Sequence, residues 1–376
     1  MIDRYFGEVK ALCHHEPDNA STSLKFVYTA MHGVGAPFAQ KAFASFGFKE
    51  FLIVKEQVDP DPDFPTVAFP NPEEGKGALA LAVATAEREG ASLIFANDPD
   101  ADRLAVAEKQ REQVEALHRY ISGKWTIFSG NQIGVMLASY IWKNWKASNG
   151  DGGQCDPDFR RKHKVAMLAS AVSSKMLERM AQVEGFHFVE TLTGFKWLGN
   201  RAMDLEEKGM KVLFAYEEAI GFMVGDVVRD KDGISSVACF AEFATQLHKK
   251  GQLVGECLDE MYDRYGYFVS NNSYFICHHK PTIDRVFNKI RFGENPVRIF
   301  GYGLVPSQDP RYPHALQYPT RVGGVPVTYI CDLTIGYDSQ RPDKTPLLPT
   351  SASSHMISFR LENGCYFTLR TRFVNG

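Results

Sequence analysis

The chain has 376 residues, with 42 basic and 45 acidic side chains and a formal net charge of -3, a length that suits two or three domains. Hydrophobic residues make up 44% and charged residues 23% of it, which excludes collagenous, low-complexity and membrane-spanning classes. No block of like charge stands out, so we expect neither nucleic acid nor membrane as a partner.

The first third of the chain alternates β-rich runs with helical stretches, after an amphipathic helix predicted at Tyr5–Leu12. The predicted strands are 24–29, 50–54 and 92–96, and the predicted helices are 37–46 and 77–89. This alternation predicts a parallel sheet with crossover helices. The Pro-rich segment 59–72 interrupts the pattern, which predicts a surface connection there.

A second α/β region follows with the same plan. Its predicted strands are 125–128, 165–169, 186–190 and 212–215, and its predicted helices are 132–142, 173–182, 197–207 and 234–248. The polar stretch 148–164, which lies between the predicted helix 132–142 and the predicted strand 165–169, is rich in Gly, Asp and Arg. We expect this stretch to be an exposed insertion.

The remainder of the chain changes character from about Tyr267 and predicts a third, α+β domain. A short strand is predicted at Ser273–Cys277. The runs Met356–Leu361 and Tyr366–Leu369 flank an Asn-Gly pair, which is a hairpin signal. The predicted fold class is therefore α/β, with two successive domains built on mixed or parallel sheets and an α+β domain at the C-terminal end. The predicted boundaries are 1–122, 123–265 and 266–376.

The cysteines and the N-terminus indicate a cytoplasmic protein. The seven cysteines stand singly, without a C-x-x-C pair that would indicate a zinc site or disulfide framework. Met1–Glu8 carries charge where a secretory signal is apolar. No apolar run reaches the roughly 18 residues that a transmembrane helix needs.

The strongest chemical signal is a group of carboxylates after the predicted strand 92–96. Asp98, Asp100 and Asp102 alternate along a tight loop, where their oxygens can converge on one hard cation such as Mg²⁺ or Ca²⁺. An EF-hand is excluded because Arg103 and Lys109 occupy the positions of its Gly and its Glu. The alternative is an acidic turn that caps the next element.

Two positively charged groups indicate an anionic ligand, for which phosphate is the obvious candidate. A guanidinium such as that of Arg103, beside a cation site, can clamp two oxygens of an anion; alternatively it only balances a neighbouring aspartate. Thr193, Gly194 and Lys196 offer a hydroxyl, an approachable backbone and a cation before a helix. Thr193 as an ordinary helix cap with a solvated lysine is the alternative.

Adjacent carboxylates follow another predicted strand. Glu217 and Glu218 can accept hydrogen bonds from vicinal sugar hydroxyls, and Gly221 would let a ligand come close; alternatively they are solvated loop charges. These loops, with the loop after the first predicted strand, Thr29–Gly35, all leave the carboxyl ends of predicted parallel strands. Ligands bind at that edge of open α/β sheets.

Together these residues resemble the α-D-phosphohexomutase superfamily, specifically its phosphopentomutase and phosphoglucomutase-2 branch, which includes glucose-1,6-bisphosphate synthases. The most specific segment is 97–103. The other segments that carry the resemblance are 31–35, 71–77, 96–110, 190–200, 214–221 and 230–235, with a weaker stretch over 337–370.

The resemblance implies four domains around one cleft. This chain would supply the metal-binding second domain at 1–122, the sugar-binding third domain at 123–265 and a truncated fourth domain at 266–376. The resemblance implies Mg²⁺ held by Asp98, Asp100 and Asp102, with Arg103 as a catalytic residue that stabilises the transferring phosphoryl group. A sugar bisphosphate would act as primer.

The resemblance also implies a sugar phosphate as substrate. The implied substrate-binding residues are Thr193, Gly194, Lys196, Glu217, Glu218 and, less specifically, His32. Many hexose mutases have Glu-x-Ser where this chain has Glu217-Glu218-Ala219. This difference favours the pentose or bisphosphate branch.

In the family, a phosphoserine gives its phosphoryl group to the sugar phosphate, the bisphosphate turns, and the other phosphate returns to serine. The serine-bearing domain is expected before residue 1. After Thr371 the family continues Ser-Gly-Thr-Glu-Pro, where this chain has 372–376 instead. We therefore expect an isomerase by family that has little or no turnover as this chain alone. The alternatives are a non-catalytic sugar-phosphate-binding or regulatory chain and a glucose-1,6-bisphosphate synthase.

Overall fold

The structure is a computed structural model that describes residues 1–74, 77–111, 120–122, 125–150, 164–273, 275–293 and 316–371. The chain divides into two compact units, 1–270 and 271–376. Most of the predicted insertion at 148–164 lies outside the described residues, as do residues 372–376.

A six-stranded mixed sheet forms the first half of unit 1–270. Its strands are β1 (Phe26–Thr29), β2 (Leu52–Ile53), β3 (Leu93–Ala96), β4 (Ala105–Lys109), β5 (Tyr120–Ser122) and β6 (Trp125–Ile127). Their order is β2-β1-β3-β4-β6-β5. β1 pairs in parallel with β2 and β3, which confirms the parallel arrangement predicted for these strands. The next pairings, from β3 through β5, are antiparallel, and β4 and β5 were not predicted.

The described helices of this half lie near the predicted places except for the second, which was not predicted. They are α1 (Ile2–Lys10), α2 (Glu16–Ser21), α3 (Ala36–Ser45) and α4 (Ala80–Glu89), with single turns of 3-10 helix at Lys55–Gln57 and Pro72–Glu74. α3 carries a proline in its first turn, where the missing N–H costs nothing. α4 ends at Gly90, whose φ of 66° suits a residue without a side chain.

A four-stranded sheet of order β10-β9-β7-β8 forms the second half of the same unit. Its strands are β7 (Val165–Ser170), β8 (His187–Thr191), β9 (Lys211–Glu217) and β10 (Gly221–Val224). β7 pairs in parallel with β8 and β9, as the alternation predicted. β10 pairs antiparallel with β9, and this strand after the paired glutamates was not predicted.

The helices of this half are α5 (Gly130–Ser148), α6 (Met176–Glu184), α7 (Phe195–Glu207), α8 (Gly233–His248) and α9 (Val254–Tyr265). α5 starts at a capping box, in which Ser129 and Gln132 exchange hydrogen bonds. α9 was not predicted. Among the described residues, no helix is both long enough and apolar enough to cross a membrane.

Both sheets share one apolar core, built from side chains along most of residues 6–265. Buried Glu242 of α8 accepts hydrogen bonds from the backbone N–H groups of His14 and His15, at 3.0 and 2.9 Å. Buried Glu108 of β4 accepts hydrogen bonds from the first two N–H groups of α9, at 2.6 and 2.8 Å. These contacts join elements of the first and second halves within one folded unit. The division predicted at residue 122 stays a prediction.

Unit 271–376 contains an antiparallel sheet and a helix. Its elements are α10 (Lys280–Phe292), β11 (Arg321–Val322), β12 (Val325–Asp332), β13 (Tyr337–Asp338), β14 (Met356–Leu361) and β15 (Tyr366–Arg370). Phe287 of α10 packs in a core with Ile357 and Phe359 of β14. Buried Arg291 donates hydrogen bonds to both carboxylate oxygens of Asp332, at 2.6 and 3.2 Å. This α+β arrangement agrees with the prediction.

The two short strand predictions for this unit have opposite outcomes. The hairpin across Glu362–Gly364 is confirmed: β14 pairs antiparallel with β15, and Gly364 has a φ of 85°. The strand at Ser273–Cys277 is wrong, because the described residues there have no strand and no paired neighbour. Phe275 is 96% exposed, and an isolated apolar run cannot satisfy its backbone as a strand without a partner.

Candidate functional site

The three aspartates of the loop between β3 and β4 converge. One carboxylate oxygen each from Asp98, Asp100 and Asp102 lies within 4.8 Å of the others. The loop brings them together because it reverses the chain between antiparallel strands, with Ala101 at a φ of 62°. A non-glycine residue in this region is strained, and such strain is common at functional sites.

The electrostatics of this loop favour a cation. Burial, together with the charges of Asp100 and Asp102, raises the pKa of Asp98 to about 7 against an opposing hydrogen bond from the Arg103 N–H. Asp102 Oδ1 is buried without a hydrogen-bond partner. Hard oxygen ligands, mutual repulsion and an unsatisfied acceptor fit a divalent ion such as Mg²⁺.

Arg103 lies against the same carboxylates. Its Nε is 3.5 Å from Asp98 Oδ2 and 3.8 Å from Asp102 Oδ1, and its side chain is partly exposed. Its backbone N–H donates to Asp98 Oδ1 at 3.0 Å. The guanidinium therefore balances the aspartates, as the structural alternative proposed, while its partial exposure leaves it accessible to an anion.

The paired glutamates lie where β9 ends, with Glu217 as the last residue of the strand and Glu218 in the turn before β10, and both are half-buried. Glu217 Oε2 accepts a hydrogen bond from the Gly194 N–H at 3.2 Å. Glu218 Oε2 accepts one from Ser170 Oγ at 3.0 Å. Burial raises the pKa of Glu217, as does the charge of Glu218. These contacts are not those of freely solvated loop charges.

The loop between β8 and α7 lies beside Glu217. Thr193 Oγ1 is buried without a hydrogen-bond partner. The residue that caps α7 is Gly194, with a φ of 110° and no side-chain cap, so Thr193 is not the ordinary helix cap. Lys196 is exposed in the first turn. The unpaired Thr193 hydroxyl and the exposed Lys196 ammonium, three residues apart, suit a ligand with anionic oxygens.

The aspartate loop and the glutamate turn are in direct contact. The Leu104 N–H donates to the Ile220 carbonyl at 3.0 Å, and Arg103 and Gly221 form an isolated antiparallel bridge. Backbone pairing therefore holds the predicted metal ligands close to the predicted sugar-binding carboxylates.

Lys231 completes this contact and was missed as a site residue. Its Nζ is 2.6 Å from Asp102 Oδ2. Burial alone would lower the pKa of Lys231, but the hydrogen bond and charge of Asp102 raise it. The segment 230–235 was noted for its resemblance, yet only the fold shows that this side chain crosses from the start of α8 to the aspartate loop.

His32 is placed differently from the other predicted residues. It is buried, with its Nε2 2.7 Å from Thr66 Oγ1 and a φ of 60°. Within the described residues, its ring makes no recorded hydrogen bond to the aspartate loop. Its neighbours Gly33 and Val34 do reach that loop, since the Val34 N–H donates to the Pro99 carbonyl at 2.9 Å. His32 is therefore held beside Thr66, and its role as a substrate-binding residue stays a prediction.

Comparison with known proteins agrees with this geometry. Residues 3–111 match the family model "Phosphoglucomutase/phosphomannomutase, alpha/beta/alpha domain II", and residues 129–265 match that of domain III. The chain belongs to the phosphoglucomutase/phosphomannomutase family. The resemblance expected from the aspartate loop is thereby confirmed.

Relatives and solved structures give a consistent picture. Phosphopentomutase from Homo sapiens is 45% identical over 98% of this chain and 54% of its own length. Human glucose 1,6-bisphosphate synthase is 42% identical over 98% of this chain and 53% of its own length. This family member thus spans about half the length of these relatives. A family protein from Burkholderia thailandensis shares the fold, with a TM-score of 0.50 and 18% identity over 81% of this chain and 54% of that chain.

Proposed function

We propose that this chain acts in Mg²⁺-dependent movement of a phosphoryl group between positions on a sugar phosphate, as a phosphopentomutase or phosphoglucomutase does. The observation that carries the proposal is the convergence of Asp98, Asp100 and Asp102 beside Glu217. Relatives named phosphopentomutase and phosphoribomutase support the same chemistry.

The aspartate loop would hold the metal ion. Asp98, Asp100 and Asp102 would bind Mg²⁺, which would stabilise negative charge on the phosphoryl group. Arg103 would clamp phosphate oxygens, because its guanidinium is partly exposed beside these carboxylates. Lys231 would add a second positive charge at the same place.

The second half of the unit would bind the sugar. Glu217 and Glu218 would accept hydrogen bonds from hydroxyls, and the buried free hydroxyl of Thr193 would find its missing partner there. Gly194 and Lys196 would orient the phosphate-bearing end, and His32 stays a weaker candidate. In this proposal a sugar bisphosphate primes the reaction.

The domain roles follow the family models. We propose that 1–122 is the metal-binding second domain, 123–265 the sugar-binding third domain and 266–376 part of the fourth. The matches to domains II and III support the first two roles. A cytoplasmic location stays a prediction.

A glucose 1,6-bisphosphate synthase is the second candidate, since proteins of that name match almost the whole chain. Here the same site would accept a phosphoryl group from a donor and keep the bisphosphate as product. A chain that binds sugar phosphates without turnover is the third candidate.

Assays of the purified chain with ribose 1-phosphate and glucose 1-phosphate, each primed with the matching bisphosphate, separate these candidates. Turnover that Asp100→Asn abolishes supports the mutase, and bisphosphate accumulation with a phosphoryl donor supports the synthase. Binding of either sugar phosphate without turnover supports the binding chain. Asp63→Asn, at an exposed aspartate in the Pro-rich segment, is the matched control. Failure of the wild-type chain to bind either sugar phosphate contradicts all three.

A further inference from the structure

Asn97, the residue between β3 and the aspartate loop, is fully buried. Its Nδ2 donates a hydrogen bond to the Arg103 carbonyl. Its Oδ1 accepts a hydrogen bond from the Tyr28 hydroxyl at 2.7 Å. Its backbone N–H donates to the Thr29 carbonyl at 3.1 Å. These hydrogen bonds connect Asn97 to the end of the loop on one side and to β1 on the other.

The side-chain amide closes the aspartate loop on itself. The Arg103 carbonyl is held by Asn97, while the Arg103 N–H is held by Asp98 Oδ1 at 3.0 Å. Asp100 and Asp102 lie between these two points. The loop that carries all three carboxylates is therefore pinned at both ends by one amide and one carboxylate.

The Arg103 carbonyl determines which way this amide faces, because a carbonyl can only accept a hydrogen bond. The NH₂ group of Asn97 therefore faces the Arg103 carbonyl, and its amide oxygen is left to accept from the Tyr28 hydroxyl. Loss of the Tyr28 hydroxyl removes the hydrogen bond that holds this buried amide oxygen.

The surrounding backbone leaves little room for the amide to move. A side chain at Gly35 would place a Cβ 2.5 Å from the Tyr28 hydroxyl oxygen, and one at Gly233 would place a Cβ 2.5 Å from Asn97 Nδ2. The start of α3 and the start of α8 therefore both pack closely against the pair. Such close packing fixes a side chain far better than an exposed hydrogen bond does.

We propose that Tyr28 and Asn97 are positioning residues that set the affinity of the aspartate loop for its divalent cation. The proposal rests on the proposed function, which puts a cation between Asp98, Asp100 and Asp102. Three carboxylates repel one another in the absence of a cation, so a loop free to open would spread them apart. The clamp opposes this spreading and keeps the oxygens at binding distance, as outer-shell hydrogen bonds do for metal ligands.

The test is Mn²⁺ binding to the full chain, measured by the loss of the free-ion electron paramagnetic resonance signal. We compare wild type with Tyr28→Phe and Asn97→Leu. The matched control is Tyr140→Phe, since Tyr140 is also buried and donates one hydrogen bond, 2.8 Å from its hydroxyl to Glu242. Thermal unfolding of each variant shows how much stability each lost hydroxyl costs.

We expect Asn97→Leu to weaken Mn²⁺ binding by about 10- to 100-fold, the range for loss of an outer-shell partner. Tyr28→Phe removes one hydrogen bond and is expected to weaken binding by roughly 3- to 10-fold. Tyr140→Phe is expected to bind Mn²⁺ as wild type does, although its unfolding temperature falls by an amount similar to that of Tyr28→Phe.

Three results overturn the proposal, and they have different meanings. Wild-type affinity in Tyr28→Phe and Asn97→Leu shows that the clamp does not act on the cation, while the proposed function stands. Equal weakening in Tyr28→Phe and Tyr140→Phe assigns the effect to general stability. Absence of Mn²⁺ binding by wild type removes the metal site itself and with it the proposed function. If Asn97→Leu does not fold, Tyr28→Phe against its control decides the question alone.

Discussion

Glu242 gives the sharpest test of how the first unit is held together. Its buried carboxylate accepts hydrogen bonds from five donors of other elements. They are the Cys13 thiol at 3.1 Å, the N–H groups of His14 and His15 at 3.0 and 2.9 Å, the Asn19 amide at 2.8 Å and the Tyr140 hydroxyl at 2.8 Å. These contacts anchor the segment between α1 and α2 to the middle of α8, whose N-terminal end carries Gly233 against the aspartate loop.

Two substitutions at this position differ in how many donors they leave without an acceptor. Glu242→Leu removes every acceptor, and we expect the free energy of unfolding to fall by about 3–5 kcal/mol, as when one partner of a buried charged network is lost. Glu242→Gln keeps one oxygen, which can face the His15 N–H and Asn19, while its NH₂ group can face the Tyr140 hydroxyl, which is able to accept. Its cost is therefore expected to be about 1–2 kcal/mol.

Urea unfolding, followed by circular dichroism, measures both values, and Glu207→Gln on the exposed end of α7 is the control, expected within about 0.5 kcal/mol of wild type. Burial alone would raise the pKa of Glu242, but hydrogen bonds from His14, Cys13, Asn19 and His15 lower it below its ordinary value of 4.5. A lowered folded-state pKa means that stability is present above pH 4.5 and is lost as the pH falls below it. Glu242→Gln lacks this contribution. A Leu variant as stable as wild type refutes the anchoring role.

Three further predictions address other parts of the chain. Gly233→Ala would drive a Cβ into Asn97 Nδ2 and the Arg103 carbonyl and should lower the free energy of unfolding by about 1–3 kcal/mol. Gly7→Ala, with open space around it, should raise the free energy of unfolding by about 0.5–1 kcal/mol. Changes of the same sign for both variants in urea unfolding contradict this prediction. Asp332→Ala should destabilise unit 271–376 by about 3–5 kcal/mol, because the buried Arg291 guanidinium loses its carboxylate partner. Proteolysis of that unit at the wild-type rate would contradict this prediction. Trp197 is 46% exposed, while the other three tryptophans are buried or half-buried. Binding of glucose 1-phosphate should therefore change the tryptophan fluorescence of wild type and not that of Trp197→Phe. A fluorescence change that persists in the variant contradicts a ligand at the loop before α7.

The sequence predicts those features whose cause is local. The apolar runs of β1, β3 and β7 are buried along their whole length, and such runs are visible in a single segment. The alternation of Asp98, Asp100 and Asp102 likewise indicates convergence without knowledge of the rest of the fold. The Asn-Gly turn between β14 and β15 depends on two adjacent residues, for which the local backbone preference decides.

Features that depend on distant partners were missed. Nothing in the sequence distinguishes Lys231 from a solvated lysine. It becomes a site residue only because the segment before α8 lies against the aspartate loop. β10 forms because it pairs with the edge of β9, and Gly221 at its start is not a residue that indicates a strand. Ser273–Cys277 failed for the converse reason, since its β-forming residues have no neighbouring strand. The role of Asn97 depends on its hydrogen bonds with Tyr28 and Arg103, and the sequence alone does not show these contacts.

The central claim is that three aspartates hold one divalent cation beside the sugar-binding carboxylates. An anomalous difference map from crystals grown with Mn²⁺ and glucose 1-phosphate tests it most directly. We expect one strong peak between the carboxylates of Asp98, Asp100 and Asp102, with the sugar hydroxyls at Glu217. A map with no peak there, and with Lys231 still bonded to Asp102 as in the present structure, would contradict the account.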